Sequence, residues 1–383
     1  MDEWQLVQFE DVVELQRGHD LPASERNPGD VPVIGSFGIT GTHDRAAYDG
    51  PGVAIGRSGA AIGTATYVAG AYWPLNTCLF VKDFKGNDSQ WVFRLLQTID
   101  FTGFNSGSAQ PSLNRNFLKN IPVLRPPVTV QRSIASILAA LDDKLTVNDR
   151  IAQALLDLAG TLFLEAVAAN ESRMLTIGEL ADIRAIEFSD GYRTKKIEHG
   201  RPGLRILRAG DVRDSYLYPS GGDYVSSDYS RQIGSKASRP GDIVLTTKGT
   251  VGRVAVVADA VEPVVYSPQV CFFRVTDACQ VDPGYLSGWF RSDDLQRQAA
   301  TLMNKSDMAP YVSLRDVRSL TLPLLSISDQ RRCGEVQNSL ITIFEATRIE
   351  NDRLVRTRDQ LLPLLMSGKL AVRTAESIVE EMV

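Results

Sequence analysis

The chain has 383 residues, a formal net charge of −5, and 43% hydrophobic and 23% charged residues. That length holds two or three domains of ordinary globular composition, and the acidic balance argues against a protein that coats nucleic acid by charge alone. Four cysteines without CxxC spacing and three histidines without a ligand cluster predict free thiols in a reducing compartment and no metal site.

The opening Met1-Asp2-Glu3-Trp4-Gln5 carries no readable signal peptide, and no run approaches 18 apolar residues. A cytoplasmic chain without a membrane span is therefore expected. Residues 1–127 alternate short β-branched or aromatic runs with glycine turns. Val31–Ile34, Val53–Ile55, Ala65–Val68 and Cys78–Val81 read as strands, and Gln90–Thr98 as a helix. The expectation is an α+β domain with a mostly antiparallel sheet.

Past Pro126-Pro127 glycine vanishes until Gly160. Ile134, Leu141, Leu155 and Leu162 share one heptad position, with Asn148 among them. Ile137, Ile151 and Leu158 share the companion position, interrupted by Lys144. This predicts a coiled-coil helix over 128–172, a rod of roughly 60 Å at 1.5 Å per residue. A second globular domain, 173–327, follows, with strands at Leu204–Leu207, Asp242–Thr246, Arg253–Val257 and Val270–Val275 and a helix at Tyr285–Thr301. A second long helix spans 328–370, with Leu340, Leu354 and Leu361 at one seam position and Phe344 and Asn351 at the other. Pro363 should kink or end it, and the tail 371–383 should fray.

The two halves repeat each other. Gln131-Arg132 matches Gln330-Arg331 (330−131 = 199), and Asn148-Asp149-Arg150 matches Asn351-Asp352-Arg353 (351−148 = 203). Ser112-Leu113 matches Ser313-Leu314, Ile121-Pro122 matches Leu322-Pro323, Cys78-Leu79-Phe80 matches Cys271-Phe272-Phe273, and Gly59 matches Gly249. Such a period exceeds that of a solenoid unit and implies two copies of a domain-plus-helix module. Asn148 and Asn351 would fix helix register, each amide answering the other across antiparallel packed helices that place the domains at opposite ends.

No phosphate-binding GxxxxGK[S/T] loop, nucleophile elbow, dinucleotide fingerprint or amino-methyltransferase loop is present, so the chain reads as a binder. Two domains spaced by a rod suit a linear ligand with two separated half-sites, and DNA is the natural candidate. The candidate contacts in the first module are Arg17, His19, Arg26, Ser36, Arg45, Arg57, Ser58 and Asn76. In the second they are Lys195, Arg205, Arg208, Arg213, Lys248, Arg253 and Gln269. Arg and Lys read guanine, Asn and Gln read adenine, and hydroxyls hold phosphates. A basic stretch between Asp190 and Arg213 carries Arg193, Lys195, Lys196, Arg201, Arg205, Arg208 and Arg213 against Asp190, Glu198 and Asp211. The glycines at 59 and 249 allow a tight turn or close backbone approach. A protein-binding scaffold built on the coiled coil is the alternative, and an autonomous nuclease or methyltransferase lacks its motifs.

Along nearly its whole length the chain resembles the specificity (S) subunits of type I restriction–modification systems. The first module carries Gly18-His19-Asp20-Leu21-Pro22, Val31-Pro32-Val33-Ile34-Gly35-Ser36-Phe37-Gly38, Pro51 to Gly59, Trp73-Pro74-Leu75-Asn76-Thr77 and Ser108 to Asn114. The second carries Arg208-Ala209-Gly210-Asp211, Pro240-Gly241-Asp242-Ile243-Val244 and Thr247 to Gly252. Ile121-Pro122 to Lys144 and Leu322-Pro323 to Arg353 are similar to that family's helical regions.

The resemblance implies an α+β fold with two target recognition domains, two long antiparallel coiled-coil helices and an internal pseudo-twofold repeat. Each recognition domain would read half of a bipartite double-stranded DNA site, and the differing modules imply an asymmetric one. The helices would set the gap and dock two methyltransferase subunits. The chain itself would be non-catalytic and hold no cofactor. S-adenosylmethionine for adenine methylation would sit on those partners, with ATP and Mg on a restriction and translocation subunit serving phage defence.

Overall fold

The computed structural model describes residues 4–104, 112–213, 215–303 and 311–383. The chain forms two compact units, residues 1–148 with 350–383, and residues 149–349.

In the first unit the strands are β1 (Gln5–Gln8), β2 (Glu14–Arg17), β3 (Val31–Gly35), β4 (Gly38–His43), β5 (Gly52–Gly56), β6 (Ala65–Val68), β7 (Trp73–Pro74), β8 (Cys78–Asp83) and β9 (Pro122–Arg125). They form a four-stranded sheet β2-β8-β5-β6, a three-stranded sheet β4-β3-β7 and the pair β1-β9. Helix α1 (Ser89–Thr98) starts at Asp88, whose Oδ1 accepts from Trp91 N at 2.9 Å. Its buried Trp91, Val92, Leu95 and Leu96 pack with Phe9, Val53, Ile55 and Leu79. A one-turn helix, α2 (Arg115–Leu118), leads through β9 into α3 (Val128–Ala169).

The second unit repeats this plan. Its elements are β10 (Arg173–Thr176), α4 (Ile177–Asp182), β11 (Ile186–Asp190), β12 (Gly203–Leu207), β13 (Tyr224–Ser226), α5 (Ser230–Ile233), β14 (Ile243–Thr246), β15 (Val254–Val256), β16 (Val264–Tyr266) and β17 (Val270–Val275). Then come α6 (Pro283–Arg291), α7 (Asp293–Met303), α8 (Leu314–Arg318), β18 (Thr321–Leu324) and the start of α9 (Ile327–Met366), whose end returns to the first unit together with α10 (Val372–Glu380). The sheets are β11-β17-β14-β15, β13-β12-β16 and β10-β18, strand for strand the counterpart of the first unit. Each is antiparallel except for one parallel pair, β3 with β7 and β12 with β16.

The ladders correct three equivalences drawn from letter identity. Ala54 pairs with Phe80 and Val244 with Phe272, so Cys271 is the counterpart of Leu79, not of Cys78. A one-residue slip exchanges sheet faces: Cys78 packs with Ile34, Ala54 and Tyr72, whereas Cys271 faces Trp289 and Phe290. Helix α8 is capped by Ser313 and α2 by Asn114, so Ser313 corresponds to Asn114 rather than Ser112. Likewise Gln5 opposes Arg125 and Arg173 opposes Leu324, which aligns Pro122 with Thr321 rather than with Pro323.

The helix expected over Tyr285–Thr301 is two helices, broken at Ser292, whose hydroxyl donates to Trp289 O at 2.7 Å. Pro363 lies inside α9, which continues three residues beyond it. The tail expected to fray instead forms α10, with Ala375 and Val379 buried in the first unit's core.

The long helices pair antiparallel within each unit. In the first, Arg358 Nη1 reaches Asp142 at 3.0 Å and Asn148 Nδ2 donates to Glu350 at 2.7 Å. In the second, Arg348 Nη1 reaches Asp149 at 2.6 Å and Gln337 Nε2 donates to Ala159 O at 2.8 Å. Ile134, Ile137, Leu141 and Asn148 are buried as expected for a seam. Ile151 and Leu158 are not: they are 43% and 46% exposed, and Ala152, Ala159 and Phe163 take the inward positions. A helix of 3.6 residues per turn drifts about 20° per heptad, so a strict heptad loses the buried face after two repeats.

By length and composition alone, α3 would also pass for a membrane-crossing helix, with an 18-residue window of mean hydropathy 1.5. Counting uninterrupted apolar residues missed this, because small and polar residues punctuate the window.

Candidate nucleic-acid interface

In the first module the chain leaves β5 at Gly56 and makes a tight turn. Arg57 N donates to Thr77 O at 3.2 Å and Arg57 O accepts from Leu113 N at 2.7 Å. Gly59 adopts φ +63°, and open space lies where a Cβ would stand, so the glycine serves the turn and not a close approach. The second module repeats the scaffold after β14. Thr247 N donates to Gln269 O at 2.9 Å, Thr247 O accepts from Val312 N at 3.0 Å, and Gly249 has φ +76° with the same open space.

On the first turn the side chains converge. Arg17 Nε and Arg57 Nη1 both donate to the backbone oxygen of Asn76, at 3.3 and 3.4 Å. Arg57 Nη2 donates to Ser112 Oγ at 3.1 Å. Burial, and then the neighbouring Arg17 charge, pull the Arg57 pKa below the usual guanidinium range. Two cations held this close gain by accepting an anion between them. Ser36 Oγ donates to Thr77 O at 2.7 Å and lies 3.4 Å from Ser58 Oγ. The Asn76 amide donates to Asp20. His19 Nε2 meets Tyr48 Oη at 3.0 Å, with the rings stacked.

Arg17, His19, Ser36, Arg57, Ser58 and Asn76 thus form one cluster. Arg26 stands apart, donating to Thr40 O at 3.2 Å, and Arg45 is exposed on the loop after β4. Ser108 to Pro111, quoted for the resemblance, lie outside the described residues.

Sequence reading missed Arg115 and Lys82, which line an open polar cleft with Arg17, His19 and Arg57 along the edge strand β2. Arg115 directly follows the Ser112-Leu113-Asn114 phrase, which was the available signal. It also missed Phe37, 73% exposed at the tip of the β3–β4 hairpin beside Ser36.

In the second module Lys248 Nζ lies 5.0 Å from the Tyr311 ring centroid, and Gln269 Oε1 accepts from Ala209 N at 3.3 Å. Arg253 Nη1 donates to Val212 O at 3.4 Å. Lys248, Gln269 and Arg253 therefore gather around the β14–β15 turn. Arg208 pairs with Asp223, whose carboxyl it holds below the usual range by a hydrogen bond and by charge. Arg205 is engaged elsewhere, donating to Pro219 O and Gly221 O at 3.3 and 2.8 Å. Arg213 and Lys195 are exposed. Among the described residues no group of three or more His, Cys, Asp or Glu is placed to hold a metal ion.

Comparison with known proteins bears on what such a module is. The family model described as the type I restriction modification DNA specificity domain matches residues 1–156. The chain is 22% identical over 283 residues to the type I restriction enzyme MjaVIII specificity subunit of Methanocaldococcus jannaschii, covering 70% of this chain and 66% of that one.

Residues 1–156 thus match the type I restriction modification DNA specificity domain, and the chain is similar to type I restriction enzyme specificity subunits beyond it.

It is also 30% identical over 111 residues to the EcoprrI specificity subunit of Escherichia coli, covering 29% of this chain and 28% of that one. The aligned region thus spans less than two thirds of these curated relatives' own lengths. The crystal structure of a type I restriction–modification system S subunit from M. genitalium superposes with a TM-score of 0.67 at 15% identity, covering 95% of this chain and 96% of that chain. That likeness is one of fold, and it agrees with the α+β layout of two sheet-rich modules and long helices.

Proposed function

We propose that this chain is the sequence-reading subunit of a type I restriction–modification complex. Each module reads one half of an asymmetric bipartite site in double-stranded DNA, and the long helices fix the gap between the halves. The chain is non-catalytic. Two methyltransferase subunits docked on the helices bring S-adenosylmethionine, and a restriction and translocation subunit brings ATP and Mg. The assembly is cytoplasmic.

The observation that carries this reading is the duplicated turn scaffold with unlike side chains. Thr77 O and Gln269 O accept equivalent backbone bonds, yet one turn presents Arg57-Ser58 and the other Thr247-Lys248. The same frame with different donors suits two readers of different base edges. Partner docking is supported by apolar side chains on the helices that the fold leaves outside. Ile151, Leu158, Val336 and Ile343 are each 43–51% exposed in the second unit, more than a finished surface of a long helix requires.

Selection from a random duplex pool, with the chain in complex with its partner subunit, tests the reading. Two short conserved blocks of different sequence, separated by a constant gap, are expected. Recovery of one block, or of two identical blocks in inverted repeat, would contradict it.

A further inference from the structure

The two modules carry the same surface turn with opposite charge. Gly18 and Gly191 occupy one structural position, since a Cβ on either would meet a backbone oxygen, Leu75 O at 2.3 Å or Ser267 O at 2.1 Å. A short 3-10 turn follows at the same distance in each module, Ala23–Glu25 in the first and Lys196–Glu198 in the second. Around the first, residues 20–30 hold Arg26 against Asp20, Glu25 and Asp30. Around the second, residues 193–203 hold Arg193, Lys195, Lys196 and Arg201 against Glu198 alone.

The acids in and beside the second stretch are also engaged, Glu198 and Asp211 by burial and Asp190 by an ion pair. Glu198 is 8% exposed and accepts from Lys195 N at 3.0 Å. Asp190 pairs with Lys236 at 3.1 Å. Asp211 is 5% exposed and accepts from Arg208 N at 2.8 Å. Arg193, Lys195, Lys196 and Arg201 are all exposed, and the Arg201 guanidinium lies 3.8 Å from the Tyr224 ring centroid. Among the described residues none of these four side chains has an acid in an ion pair with it, so the positive charge faces solvent on an otherwise acidic chain.

We propose that the turn at 193–201 is a phosphate-backbone clamp present only in the second module, so that this module supplies most of the sequence-independent, salt-sensitive grip on the duplex. The first module, whose matching turn is acidic, depends instead on its Arg17–Arg57–Asn76 cluster. The inference rests on the DNA-reading function proposed above. Backbone contacts fix position without carrying sequence information, and each neutralised phosphate steepens the salt dependence by about 0.9 in log K against log salt.

The test is the affinity of the full chain, in complex with its partner subunit, for target and scrambled duplexes from 50 to 300 mM salt, as a series of about five concentrations. Replacing Arg193, Lys195 and Lys196 together by Gln should flatten the slope by about 2–3 and weaken target and scrambled duplex alike, leaving their ratio unchanged. The charge-retaining Lys195→Arg, Lys196→Arg chain should keep the wild-type slope. An unchanged slope in the Gln variant, with duplex still bound, would overturn the clamp and leave the proposed function standing. So would a changed base preference in one half-site, or a flattened slope in the Arg variant. Failure of the unaltered complex to bind duplex at any salt would remove both.

Discussion

Asn148 donates its side-chain amide to Glu350 Oε2 at 2.7 Å, and Lys144 Nζ approaches the other carboxylate oxygen at 3.5 Å. The sequence suggests an amide-to-amide register lock between Asn148 and Asn351. The bond found is amide to carboxylate, one residue before Asn351, which is itself buried at 5% exposure. A buried amide donating to a charged acceptor would hold register as an Asn pair would, because sliding either helix by a turn would strand the amide. Asn148→Ala should therefore cost about 1–3 kcal/mol of stability, seen in thermal or denaturant unfolding, with the selected bases unchanged. An altered base preference would argue against a spacing role.

The repeated glutamines make a second prediction. Gln131, 1% exposed, accepts from Asp88 N at 2.9 Å and donates to Asn87 Oδ1 and Pro126 O at 2.8 and 2.9 Å. Gln330, equally buried, accepts from Asp282 N at 3.0 Å and donates to Leu325 O at 2.9 Å. Each ties the start of a long helix to the cap of its module's domain helix. Replacement by Ala leaves buried partners unsatisfied, at about 1–3 kcal/mol per group. Gln131→Ala should lower hydrogen-exchange protection in α1, and Gln330→Ala in α6. Equal loss in both helices from either variant would show that the two clamps do not act locally.

What the sequence disclosed follows from which signals have a local cause. The strands over Val31–Gly35, Ala65–Val68 and Val270–Val275 and both long helices were legible, because turn glycines and apolar spacing act within a few residues. The glutamine repeat was in register because its bonds are made by the letters themselves. Cys78 with Cys271, and Ser112 with Ser313, were matched as letters, whereas ladder position and capping decide equivalence. At the candidate site, the Arg57 and Lys248 turns were legible from their glycines. The convergence of Arg17 and Arg57 on Asn76 O was not, since it joins residues 19 and 59 positions apart, and neither were Arg115 and Lys82, which only the cleft brings near.

The outward apolar residues on the second unit's helices separate stability from assembly. Ile151→Glu with Leu158→Glu removes nothing from the core, so unfolding should shift by no more than about 0.5 kcal/mol per site. Co-purification of the methyltransferase subunit proposed as its partner should be lost or weakened at least tenfold. Full retention of the partner would place its docking surface elsewhere.

The two turns should act on separate halves of the target. Arg57→Ala should weaken discrimination within one half-site by about 1–3 kcal/mol per base pair read, and Lys248→Ala should do so within the other. Competition binding with duplexes mutated one base pair at a time resolves the two. Both variants relaxing the same half-site would refute the assignment of one reader to each module.

The most direct test of the whole account is to co-express the chain with the methyltransferase subunit proposed as its partner in a host free of such methylation, and to map adenine methylation by single-molecule sequencing. The account predicts one asymmetric bipartite motif with a fixed gap, methylated in both halves. A soluble complex that leaves the DNA unmodified, or that marks a single uninterrupted or palindromic motif, would contradict it.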